Sequence, residues 1–143
     1  MIDSLSAGGE VDLIVRKLNH LVAEGLDFDQ VVDGITAYQA KTKLLFVLAK
    51  VDNLVKNGRL SKLVGTVVGL LNIRMVGEAS KTGTLELLQK ARGQKKAIKA
   101  AFDELLKAGY AGGHITIAHR NNEKFIEQFS ELVREKFAQA SIE

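Results

Sequence analysis

KLLFVLAKVDNLVKNGRLSKLVGTVVGLL, residues 43–71, decides the fold. Lys43 to Ala49 opens it, its lysine followed by an unbroken apolar run short enough to be a buried strand and too short for a helix of ordinary length. Asp52 to Lys56 then reads as a short helix ending near Gly58, and a second helix is expected from about Ser61 to Leu71. A buried strand feeding helices implies an α/β domain. Gly65 and Gly69 have the GxxxG spacing, but the apolar stretch from Leu63 to Leu71 falls well short of the roughly 20 residues that span a bilayer. The spacing therefore predicts close packing of a soluble helix, not a membrane dimer.

Upstream, Val11, Ile14, Leu18, Leu21 and Val22 recur at helical spacing, and Gly25 stops that helix. Asp27 with Gln30 forms a capping-box pattern, and Leu26 with Val31 occupies the staple positions around it. The apolar face of this second helix is predicted to hold Phe28, Val31, Val32, Ile35 and Tyr38. Downstream, Ile73 to Val76 and Thr84 to Leu88 read as a hairpin with a long loop. A helix over Gln94 to Lys107 turns Ala97, Ile98, Ala101, Phe102, Leu105 and Leu106 inward. His114 to Ala118 reads as a strand, and a last helix capped by Asn121 or Asn122 buries Phe125, Ile126, Phe129, Leu132, Val133 and Phe137. The order predicts an α/β (α+β) domain with a mixed sheet of about four strands covered by helices. One domain is expected over 1–143, with 1–42 a helical lead-in and 43–143 the sheet core.

With 143 residues, 46% of them hydrophobic, the chain can bury one core. It has no cysteine, which removes disulfides and thiolate metal sites and fits a reducing cytosol. The opening residues MIDSLSAGGE lack the pattern of a signal peptide, and a cytoplasmic location is expected. A net charge of +3 is too small to argue for nucleic acid.

Few groups carry chemistry. Lys90, Arg92, Lys95, Lys96 and Lys99 place five cations within ten residues, with only Phe102 as a nearby aromatic, on the inner face. A solvated helix face balanced by Asp103 and Glu104 is the plain reading, and an acidic partner surface the alternative. His114 and His119 are an odd number apart, so on a regular strand they face opposite sides and share no metal. Neither a GxSxG elbow nor GK[ST] is present, so no catalytic site and no metal or cofactor is expected. Arg59 offers a planar fork for carboxylate or phosphate, although an exposed arginine after a helix end needs no further explanation.

Several stretches, in order, resemble the DegV family: IDSLSAGG, EGLDFDQVVDGI, LLFVLAKVDNLVKNGRLSK, GLLNIRMV, KARGQKKAIKA and ITIAHRNN. The family's leucine–x–x–glycine–glycine–arginine–isoleucine element reads here as Leu54, Asn57, Gly58, Arg59 and Leu60, with one glycine and the isoleucine replaced. The resemblance implies a bacterial, non-enzymatic protein that holds one long-chain fatty acid between two domains and presents it to a fatty acid kinase subunit. It implies that the carboxylate-holding groups lie outside this chain, and that a strand begins near Ser141. Val64, Val67, Val68 and Leu71 are then candidates for the acyl tunnel wall, and Arg59, Arg92 and His119 for contact with the partner or with phosphate. The alternative function is an interaction module that binds an acidic partner through segment 90–99.

Overall fold

The computed structural model describes residues 3, 4, 6–50, 54, 56–58, 72–80 and 82–143. The helix expected over 61–71 and most of the short helix over 52–56 lie outside those residues. Helix α1 (Gly9–Ala23) and helix α2 (Phe28–Gln39) come first. The capping box is formed: the Gln30 amide donates to Asp27 Oδ1 at 2.9 Å, and the Asp27 amide to Gln30 Oε1 at 3.1 Å. It fixes the start of α2, and Ile14, Leu21 and Ile35 close a small core between the two helices with Leu26, Val31 and Tyr38 around it. The helices approach closely because residue 34 is glycine. A β-carbon there would sit 2.9 Å from Leu21 Cδ1.

Strand β1 (Leu45–Leu48) forms within the run predicted as a buried strand, but it is shorter and half-buried, because it lies at an edge of its sheet. It pairs antiparallel with β2 (Ile73–Ala79), which pairs antiparallel with β3 (Leu85–Arg92). The hairpin strands run longer than their apolar runs, so the connection at 80–84 is correspondingly short. Helix α3 (Gln94–Lys107) follows and lies on one face of this sheet, burying Ala97, Ile98, Ala100, Ala101 and Phe102 with Val76 and Ala91. Helix α4 (Glu123–Lys136) completes that core with Phe125, Phe129 and Val133.

The α/β architecture is as expected, but among the described residues its strands form two ladders in place of one. β4 (His114–Ile115) pairs in parallel with β5 (Ser141–Ile142), the strand implied near Ser141. β4 is shorter than the apolar run 114–118, yet Ile117 still donates its amide to the Glu143 carbonyl at 2.7 Å. Phe28 departs from its predicted burial. It is 78% exposed, because the core of α1 and α2 is closed by residues a turn further along α2. No helix among the described residues is long and apolar enough to cross a membrane.

Candidate functional site

A one-residue bulge in the β2–β3 ladder organises the sheet's second face. Val76 pairs with Gln89 and Gly77 with Leu87, so Leu88 is the extra residue. Directly opposed residues share a face, and faces alternate along a strand. Gln89 and Ala91 thus turn toward α3. The bulge resets the alternation, so Leu85 and Leu87 join Ile73 and Met75 on the opposite face. From β1, Leu48 opposes Met75, and Phe46 opposes Gly77 on that same face. Met75 is buried there among Leu48, Leu54, Ile73, Leu85 and Leu87. Gly77 leaves room for the Phe46 ring, which an added β-carbon would overlap.

The same register brings Lys90 opposite Met75 and Arg92 opposite Ile73. Both are exposed. The face is therefore amphiphilic, aliphatic and aromatic over β1 and most of the hairpin, and cationic at the end of β3. This also divides the basic run read from the sequence. Lys90 and Arg92 belong to the sheet face away from α3, whereas Lys95, Lys96 and Lys99 are exposed on α3 itself, so the five do not form one stripe. Arg92 is followed by Gly93, whose positive φ of 81° carries the chain into α3 while its amide donates to the Asn72 carbonyl at 2.8 Å.

His119 lies in the turn before α4. Its Nδ1 accepts the Asn122 amide at 3.4 Å, and Asn122, at the cap position of α4, makes no side-chain capping bond. An accepting Nδ1 leaves Nε2 to carry the ring hydrogen. His114 is bound differently, with Nε2 2.5 Å from Glu143 Oε1, which Arg16 Nη1 also reaches at 2.8 Å. The two histidines have separate partners, and the described residues hold no group of three or more metal-ligating side chains. Arg59, Val64, Val67, Val68 and Leu71 lie outside the described residues.

Sequence reading missed one buried charge. Glu104, assigned to a solvated face, is 8% exposed and accepts hydrogen bonds from Lys107 Nζ at 2.8 Å and from the Gln89 amide. The Lys107 bond, then the Gln89 bond, hold its carboxyl below the usual range. Two open depressions of about 360 and 350 Å³ flank Lys43 and Glu78. The first is lined mainly by charged and hydroxyl groups, and the second mixes Glu104 and Lys107 with Leu45, Leu88 and Ala108.

Residues 1–143 match a family described as "Uncharacterised protein, DegV family". A DegV domain-containing protein of Streptococcus pneumoniae is 75% identical over 142 residues, covering 99% of this chain and 50% of that protein. The structure of the S. pneumoniae fatty acid kinase (Fak) B3 protein loaded with linoleic acid superposes with a TM-score of 0.94, at 75% identity over 99% of this chain and 50% of the other. A DegV family protein from Eubacterium eligens loaded with heptadecanoic acid gives 0.92 at 35% identity, covering 99% of this chain and 51% of the other. The chain spans about half the length of the curated relatives it matches.

Proposed function

The chain belongs to the DegV family, and on that premise we propose that it is part of a fatty-acid-binding protein that holds a long-chain acyl group for a kinase partner. The observation that carries this reading is the superposition on a fatty-acid-loaded protein that is 75% identical over nearly the whole of this chain. The amphiphilic sheet face supports it physically. Phe46, Leu48, Leu85 and Leu87, half-buried around Met75, offer an acyl chain an apolar wall, where each buried methylene gains about 0.8 kcal/mol. Val64, Val67, Val68 and Leu71 remain further candidates for the tunnel wall.

Lys90 and Arg92, at the cationic end, suit an anionic head group or the acyl phosphate made from it, and a guanidinium meets two phosphate oxygens at once. Arg59 and His119 are assigned to the contact with the partner or with phosphate, His119 as a donor through Nε2. In this reading the chain needs no catalytic group, because the kinase subunit transfers the phosphoryl group from ATP to the bound carboxylate. The protein works in the cytoplasm. The acidic-partner alternative is weaker, because the cations of 90–99 are divided between two surfaces.

The test is native mass spectrometry of this chain joined to the part of the pneumococcal relative that it does not cover. One long-chain fatty acid per protein is expected, lost in Leu87→Asp. In Arg92→Ala the lipid should remain while kinase-dependent acyl phosphate formation falls about tenfold, as for the loss of one charged hydrogen bond. A joined protein without lipid overturns the reading. Loss of lipid in Arg92→Ala overturns the division of roles.

A further inference from the structure

Along the sheet face turned away from α3, the middle strand steps from large side chains to small ones. β2 places Ile73, Met75, Gly77 and Ala79 there in turn. The cationic end of β3 flanks the large pair, Arg92 opposite Ile73 and Lys90 opposite Met75. Leu87 and Leu85 flank Gly77 and Ala79 on that side, and Phe46 stands opposite Gly77 on the other. The floor of the face is therefore lowest at the end away from the cations. Part of this hollow is taken by the Phe46 ring, which reaches over Gly77: a β-carbon there would overlap Cζ and lie 2.9 Å from Cε2. Even so the ring is only half-buried, and it keeps apolar area for a further partner.

We infer, on the basis of the fatty-acid-binding role proposed above, that Phe46 is the stop for the acyl chain and so sets the length of fatty acid preferred. With the head group toward Lys90 and Arg92, the chain runs along β2 toward Ala79. A strand rises about 3.4 Å per residue, so Ile73 to Ala79 spans about 20 Å, the scale of an extended long-chain acyl group. Gly77 lies about two-thirds of the way along, which puts the ring against the last part of the chain and away from its head. A methylene beyond that point gains its burial only where the ring leaves room for it. The ring cannot sink further, because the main chain of Gly77 lies beneath it. Removing it opens the hollow over Gly77 and Ala79, whereas a larger ring can grow only into the space of the acyl chain. Val47, the next residue of β1, turns the other way and packs against the core under α3, which makes it the control.

The experiment offers this chain, joined to the uncovered part of the pneumococcal relative, an equimolar mixture of hexadecanoic, octadecanoic and icosanoic acids. Native mass spectrometry then reads which acids are bound. In Phe46→Ala the ratio of bound icosanoic to hexadecanoic acid should rise about tenfold, as the burial of two further methylenes would give. Phe46→Leu should move the ratio part of the way, and Phe46→Trp should move it in the opposite direction. Val47→Ala should lower the melting temperature and leave the ratio as it was. Lipid bound at one ratio in the unsubstituted protein and in all the Phe46 variants overturns the stop and leaves the fatty-acid-binding role standing. A ratio that moves equally in Val47→Ala assigns the effect to the packing of the sheet and overturns the stop as well. A joined protein that binds none of the acids overturns the fatty-acid-binding role itself, and the stop with it.

Discussion

At the residue scale, Gly77 and Glu104 carry more of the fold than their types suggest. A β-carbon at Gly77 would fall within van der Waals contact of both the Glu86 carbonyl oxygen and the Phe46 ring. Overpacking of this kind costs typically about 1–3 kcal/mol. Gly77→Ala should therefore lower stability to urea by at least that much. Adding Phe46→Ala should not restore it, because the Glu86 carbonyl is main chain; full rescue would show that only the ring matters. Glu104→Ala removes the acceptor for Gln89 and Lys107 and should cost about 1–2 kcal/mol. The carboxyl is held below its ordinary pKa, so its folded form binds the proton less readily than its unfolded form. Its contribution is then complete above the unfolded pKa and declines as pH falls toward the depressed folded value. Thermal melts across the acid range should show this decline in the unsubstituted protein and a smaller one in Glu104→Gln. Equal slopes would assign the acid sensitivity elsewhere. Neither residue was legible beforehand: glycine in an apolar strand and glutamate on an amphipathic helix are both common without consequence.

At the element scale, sequence was most informative where a local rule has a local cause. The capping box at Asp27 and Gln30 depends on side chains three residues apart and formed as expected. Asp27→Ala should destabilise α2 by about 1 kcal/mol, seen as faster exchange of its first-turn amides. Unchanged exchange would mean that the packing of Leu26 and Val31 fixes the helix start unaided. The inward faces of α3 and α4 were legible for the same reason, their periodicity being local. The bulge at Val76/Gly77 was not, since it is a property of how two strands register. It decides the candidate site, because it puts Leu85 and Leu87 on the face of Met75. The same limit applies to the basic run, which is continuous in sequence and divided in space by the end of β3 at Arg92. His119 was singled out for a partner contact, but its bond to the Asn122 amide emerges only from the turn's conformation.

At the scale of the whole molecule, the described core is not continuous. Ile14, Leu21 and Ile35 share no buried residue with the core formed by Val76, Ala97, Phe102, Phe125, Phe129 and Val133. The Arg16 link to Glu143 is more than 40% exposed on both sides, so solvent screens it. Among the described residues the helical pair closes its own small core, and we propose that it opens as a unit bounded near residue 42. Truncating Ile35, which is 1% exposed, to alanine removes most of the side chain that closes this small core, a loss of about 2–5 kcal/mol. A loss of that size, confined to a unit with so few buried groups, should let α1 and α2 open on their own. Hydrogen exchange in residues 9–39 should rise steeply while protection in β2, α3 and α4 stays as it was. Val133→Ala, in the larger core, should instead lower protection in β2, α3 and α4 together. If Ile35→Ala lowers protection evenly along the chain, the two cores fold as one.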